Sequence, residues 1–217
     1  MKKNLIIAAA VSAALVSGAT FADAKAITGV TMGLQAGIAG YQGTPSIPTI
    51  VGANVSETKG GFLLGGTLGY DFALSNQFAV GIETGINNGF NLYKLSISNN
   101  IGDSVDFKMS DLSVPILLKA IYVMPFGLNI FVKGGMAYHK YKLSVDTAGA
   151  GNPGNFSDSY SKWAPEAAVG LGYMINNFNV FAQYSHTFGK KLDDNGLNKD
   201  AISTNAITAG VSYTLPM

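Results

Sequence analysis

Residues 26–41 read AITGVTMGLQAGIAGY. Even positions carry Ala26, Thr28, Val30, Met32, Leu34, Ala36, Ile38 and Gly40; odd positions carry Ile27, Gly29, Thr31, Gly33, Gln35, Gly37, Ala39 and Tyr41. A period of two is that of a β-strand, whose successive side chains point to opposite faces. One face is apolar and the other small or polar, so the two meet different solvents. In a soluble barrel the bulky apolar face turns inward and the alternate face supplies a hydrated surface. Here the alternate face is too small and too poor in charge for that, which implies a barrel turned inside out in a membrane.

The pattern recurs in seven further segments. Residues 61–72 set Phe62, Leu64, Leu68, Tyr70 and Phe72 against Gly61, Gly65, Thr67, Gly69 and Asp71, and residues 78–87 set Phe78, Val80, Ile82 and Ile86 against Ala79, Gly81, Glu83 and Gly85. The others span 107–123, 128–141, 163–174, 178–188 and 202–215. Three connections are short, near Ser75, Phe126 and Asn176, and four are long, 42–59, 88–106, 142–162 and 189–201. Short turns at one end and long loops at the other predict an all-β, eight-stranded antiparallel up-and-down transmembrane β-barrel with periplasmic turns and external loops. An even strand count brings both termini to the periplasm.

Composition agrees. The 217 residues are 47% hydrophobic but only 12% charged, about half the charge of a typical soluble domain. Beyond the first two dozen residues no apolar run reaches the roughly 18 residues that a spanning helix needs. The start, Met1-Lys2-Lys3-Asn4, an apolar stretch from Leu5 to Val16, then Ser17 to Ala22, has the three regions of a secretory signal peptide. Residues 1–22 are expected to be the signal and 23–217 the outer-membrane barrel domain.

Without Lys2 and Lys3, 12 lysines face 13 acids, a net charge of −1, so no global field would recruit nucleic acid. Every basic residue is lysine; without arginine, bidentate clamps for phosphate are missing. Cysteine is absent, so disulfides do not hold the exported chain, and a closed barrel satisfying its own backbone needs none. Cofactors are not expected, and two isolated histidines offer no transition-metal set.

Aromatic residues at strand ends predict the two interfacial girdles of a membrane barrel: Phe72, Phe78, Tyr122, Tyr173, Phe178 and Tyr213 at the periplasmic side, Phe62, Tyr138 and Trp163 at the external side. The inward charges are Asp71, Glu83, Asp111, Lys119, Lys133 and Glu166. Lys119 and Lys133 lie equally far from the turn at Phe126, so antiparallel register sets them nearly opposite. Glu83 and Glu166 on the flanking strands are expected to compensate them in a Glu–Lys–Lys–Glu belt, because unpaired buried charge is costly. His139 and His186 are read as surface or interfacial. Ser185 and His186 are sequence neighbours that point to opposite faces of a strand and cannot act as a nucleophile–base pair.

The residues also resemble a family, the small OmpA-like or opacity-type outer-membrane β-barrels. Leu112-Ser113-Val114-Pro115-Ile116-Leu117-Leu118-Lys119 is similar to that family's fourth strand; Phe131 to Tyr138 and Gly170-Leu171-Gly172-Tyr173 are similar to its fifth and sixth. The last strand, with Thr208, Gly210, Tyr213 and Leu215, resembles the signal read by the barrel assembly machinery, although Pro216 and Met217 follow where the family usually closes on an aromatic residue. The resemblance covers residues 25–215, the barrel alone. It implies outer-membrane lipid and the assembly machinery as partners, and interior ion pairs resembling a plug or gate.

A structural or surface-interacting role is the leading expectation: envelope integrity, and adhesion to a host-surface ligand through the long loops. A narrow pore for ions or small solutes is the first alternative. A lipid-modifying barrel enzyme and a soluble lipocalin-like binder come after it.

Overall fold

The structure, a computed structural model, describes residues 24–43, 53–99, 104–148, 154–190 and 201–217. The expected signal peptide lies outside the described residues. Among the described residues nine strands follow one another: β1 (Gly29–Tyr41), β2 (Ala53–Lys59), β3 (Gly61–Ala73), β4 (Phe78–Asn99), β5 (Ser104–Val123), β6 (Leu128–Ala148), β7 (Gly154–Ile175), β8 (Phe178–Thr187) and β9 (Thr204–Pro216). Every paired strand is antiparallel to its neighbour. β1 pairs with both β3 and β9, and the β4–β5 pairing closes the ring.

Nine strands make eight staves. β2 and β3 both pair with β4, β2 along Tyr93 to Asn99 and β3 along Ala79 to Phe90. They are one stave interrupted at Gly60, whose φ of 100° lies in the left-handed region that glycine enters without strain. The eight-stave wall of the sequence reading therefore stands, while part of the expected 42–59 loop is a strand.

The inversion of polarity is direct. On β1, Met32, Leu34 and Ile38 are exposed on the outer side, Leu34 by 68%, whereas Thr31 and Gln35 are 5% and 6% exposed inside. Leu118, Trp163 and Leu171 are likewise exposed outward, and Asn129 and Thr208 are buried in the lumen. An outer surface this apolar is compatible with lipid and not with water. The short turns 74–77, 124–127 and 176–177 cluster at one end, where Ala24 and Ala26 donate backbone hydrogen bonds to the carbonyls of Pro125 and Asn76.

Two expected loops are largely strand. β4 continues to Asn99, β5 begins at Ser104, β6 continues to Ala148 and β7 begins at Gly154, so the described parts of the segments 88–106 and 142–162 extend the barrel outward as paired strands of two hairpins. Their alternation has the opposite phase. Leu95, Met109 and Leu143 pack on the inner side with Tyr141. Lys108, paired with Ser144, and Asp106, paired with Asp146, occupy the alternate outer positions. Apolar-out becomes apolar-in, as it must once the strands leave lipid and stand in water.

Candidate functional site in the barrel lumen

Side chains fill the lumen in layers. At the end that carries the short turns the Asn129 amide donates to Asn179 Oδ1 at 2.8 Å. Above it, the rings of Phe131 and Phe181 meet edge to face, centroids 5.9 Å apart. Two glycines make room: a Cβ at Gly170 would strike the Phe131 ring, and one at Gly210 would strike the Phe181 ring. Gly210, read as part of an assembly signal, is thus also a packing position. Of the other residues of that signal, Thr208 points inward and Tyr213 and Leu215 lie on the outer side.

The charged layer comes next. Lys119 and Lys133 are direct cross-strand partners. Lys133 Nζ donates to Glu83 Oε1 at 2.6 Å and lies 5.1 Å from the centre of the Phe131 ring. Lys119 Nζ is 2.9 Å from Asp71 Oδ1 and 3.5 Å from Glu83 Oε2. The Thr31 hydroxyl completes the layer by donating to Asp71 Oδ2 at 2.9 Å. All four charged residues are at most 8% exposed. Buried ions so arranged are compensated, and removing one partner strands another.

This corrects the expected belt. Glu83, Lys119 and Lys133 come together, but Glu166 takes part in none of the ion pairs among the described residues, and Asp71 fills the fourth place. Register is the reason. Lys133 faces Ala168 on β7, so Glu166, which faces Gly135, stands two residues further out. On the other flank Asp71 faces Gly81 and Gly81 faces Lys119. A Cβ at Gly81 would collide with the Asp71 carboxylate; its absence opens the window through which Asp71 reaches across a strand to Lys119.

A neutral amide layer follows. Gln35 Nε2 donates to Asn87 Oδ1 at 2.8 Å, and Gln35 Oε1 accepts from Gln183 Nε2 at 3.0 Å. Above it lies a second correction: His139 is neither superficial nor interfacial. It is 2% exposed, its Nδ1 lies 2.8 Å from Asp111 Oδ2, and its ring stacks on Tyr141 at 5.6 Å and 8°. The register that sets Lys119 against Lys133 also sets Ser113 against His139, with Asp111 on the adjacent inward position. That contact was within reach of the sequence once the turn at Phe126 was taken as the pivot. A cavity of about 40 Å³ remains between these layers, lined by Glu83, Asp111, His139, Glu166, Gln183 and Ser185 among others.

An apolar cap ends the lumen. Tyr141 is fully buried among Tyr41, Leu92, Tyr93, Met109 and Ile202, and its hydroxyl accepts the Ile202 amide at 3.0 Å. Ile202 belongs to the chain entering β9, which folds over the mouth and bridges to Lys190.

His186 is on the opposite side of the wall from Ser185. Its Nδ1 lies 2.7 Å from Asn205 Oδ1, which also accepts the Tyr184 hydroxyl at 2.6 Å, whereas Ser185 lines the lumen. Among the described residues, no three His, Asp or Glu side chains are placed to hold a metal ion.

The expected girdle residues lie on the outer wall. Phe72, Phe78, Tyr122 and Phe178 are exposed there, and Phe178 packs on Tyr213 at 4.7 Å near the short turns. Tyr173 is half-buried beside Gly127 in the same region. At the other end Phe62 is exposed, and Tyr138 and Trp163 pair at 5.5 Å.

A closed antiparallel ring with an apolar exterior and a layered polar interior defines a transmembrane β-barrel of the bacterial outer membrane. The chain belongs to the outer membrane protein β-barrel domain family, whose model matches residues 7–214. No curated protein matches the chain. Among solved structures it is similar to Ail, the attachment invasion locus protein of Yersinia pestis, at 18% identity, 87% of this chain, all of that one and a TM-score of 0.44. Neisserial surface protein A matches at 19% identity over 85% and 97% of the two chains, TM-score 0.41. OprG from Pseudomonas aeruginosa matches at 11% over 89% and 99%, TM-score 0.48.

Proposed function

We propose that this barrel is a sealed surface platform: a wall that anchors in the outer membrane and holds rigid hairpins out for contact with an external surface. The observation that carries this is the filled lumen. A solute would have to displace the Phe131–Phe181 pair, the four-member ion layer and the Tyr141 cap in turn. Eight-stranded barrels have interiors just wide enough for side chains, and here the described residues fill the lumen in successive layers around a small cavity. Hairpins that extend well beyond the aromatic girdle are suited to presenting a surface.

A pore reading is weaker because conduction needs at least two unlike barriers to open together. A lipid-modifying activity is weaker still, since Ser185 and His186 face opposite sides of the wall. The test pairs two readouts. Refolded protein in planar bilayers is expected to be electrically silent, with Tyr141→Ala alone still nearly so because the ion layer remains. Cells displaying the full chain are expected to adhere to matrix-coated wells, and a variant with the β4–β5 and β6–β7 hairpins shortened to girdle height is expected to lose that adhesion. Steady conductance of the wild-type chain together with adhesion indifferent to the hairpins would overturn the proposal.

A further inference from the structure

A groove of about 460 Å³ runs along the outer wall immediately above the girdle, lined by Lys140, Lys142, Ser110, Ser157, Ser159 and Leu112 among others. Its floor is set by register across β5, β6 and β7. One row reads Val114, Tyr138, Trp163; the next outward reads Leu112, Lys140, Ser161; the next reads Ser110, Lys142, Ser159. Passing outward, an aromatic row gives way to a cation beside an apolar side chain, then to a cation between two hydroxyls. Each step is about 6.6 Å of strand, so the three rows traverse the layer where acyl chains end and headgroups begin.

The two lysines are exposed, and neither enters an ion pair among the described residues. The outward lysines higher on the same wall do: Lys94 lies 3.9 Å from Asp106, and Lys108 lies 2.9 Å from Asp146. The carboxylates bordering the groove do not serve Lys140 or Lys142, since Asp111 turns inward to His139 and Asp158 accepts the Ser159 amide at 2.8 Å. Like charges on alternate positions of one strand repel, and a multivalent anion between them relieves that repulsion while the hydroxyls donate to its remaining oxygens.

We propose that this groove binds the phosphate of a phosphorylated glycolipid of the surrounding outer leaflet, held by Lys140 and Lys142, assisted by Ser110 and Ser159, with its acyl chains lying on Leu112, Tyr138 and Trp163. The lipid source follows from position: the cations stand directly over the aromatic row, facing outward from the wall, where membrane lipid is the adjoining phase. Lysine suits the role as a point charge, with no need of the bidentate fork that this arginine-free chain lacks.

The full chain, refolded in zwitterionic detergent, is examined by native mass spectrometry with bisphosphorylated lipid A. One retained lipid per barrel is expected, and Lys140→Gln with Lys142→Gln is expected to lower its retention roughly tenfold or more, given the usual worth of each lysine against an anionic lipid surface. Lys94→Gln with Lys108→Gln keeps retention, and Lys140→Arg with Lys142→Arg restores it. Dephosphorylated lipid A is not retained, and millimolar inorganic phosphate does not displace the lipid. Equal retention by the glutamine variant, equal retention of the dephosphorylated lipid, or displacement by inorganic phosphate alone would each overturn the proposal. Heat-modifiable gel mobility establishes that each variant is folded.

Discussion

The part of β5 and β6 that stands in lipid and the part that stands in water obey the same two-residue period with opposite sign. From Asp111 to Lys119 the outward side chains of β5 are aliphatic and the inward ones include Asp111, Ser113 and Lys119. From Asp106 to Ser110 the outward ones are charged or polar and the inward ones are Phe107 and Met109. The exchange falls at Asp111 on β5 and between His139 and Tyr141 on β6, next to the Tyr138–Trp163 pair. One backbone geometry thus serves two solvents, and the position of the exchange marks where the membrane ends. It also explains the two kinds of filling inside the barrel. Within the lipid-embedded wall the lumen is the polar side, and charge must be paired there; above it the lumen is the dry side, and Tyr141, Leu92 and Ile202 close it by packing.

The largest expected effect comes from unpairing the embedded lumen. Glu83→Ala leaves both lysines short of a carboxylate and is expected to cost roughly 3–5 kcal/mol, measured by urea unfolding of the barrel in lipid vesicles. A cost no greater than that of an exposed alanine substitution would mean that the ion layer is hydrated rather than compensated. Exchanging the outer faces comes second. Leu118→Lys, on the lipid side, is expected to cost roughly 2–4 kcal/mol, while Ser144→Lys, on the same wall above the girdle, stays within about 0.5 kcal/mol. Similar costs at both sites would abolish the proposed membrane boundary.

Gly81→Ala is a smaller perturbation. Its Cβ meets the Asp71 carboxylate and the Tyr70 carbonyl, and overpacking of this kind costs roughly 1–3 kcal/mol. Combining it with Asp71→Asn should give less than the sum of the two, and strict additivity in that cycle would deny the window its role. Glu166→Gln, which breaks no ion pair among the described residues, is expected to change stability by about 1 kcal/mol or less. A loss approaching that of Glu83→Ala would restore Glu166 to the belt.

The smallest effect belongs to the hairpin in water. The Ser96 hydroxyl, then Lys94 and Lys108, holds the Asp106 carboxyl below its ordinary range, and Asp146 holds the Lys108 ammonium above its own. A depressed acid contributes stability above its unfolded value that is lost as pH falls through the folded one. A raised amine contributes stability below its unfolded value that is lost as pH rises through the folded one. Protection of the amides at residues 104–108 over their intrinsic exchange should therefore be greatest between roughly pH 4 and pH 10, with the margin shrinking in high salt. A flat pH profile there, after correction for intrinsic exchange, would show that these exposed pairs do not hold the tip.

Much of the wall was legible because hydrophobic alternation is a local property: the eight staves, the short turns and the inverted faces follow from residues two apart. The hairpin extensions were harder to see. In 142–148, KLSVDTA, the alternation is present but its phase is reversed and its outer face is polar, so it resembles a loop when strands are sought by a greasy outer face. In the lumen, a single turn fixed the Lys119–Lys133 pairing, whereas Asp71 against Lys119 required the register of two successive hairpins and the missing Cβ of Gly81.

The sequence by itself determined that this chain is a β-barrel with its apolar side out, because the solvent of each face is written into every second residue. Which carboxylate neutralises which lysine, that His139 is buried against Asp111, and that Ile202 and Tyr141 close the mouth were decided only by the tertiary structure. Those contacts join residues 28 to 61 positions apart, and a shift of two residues in one register, leaving every face unchanged, would have exchanged the partners.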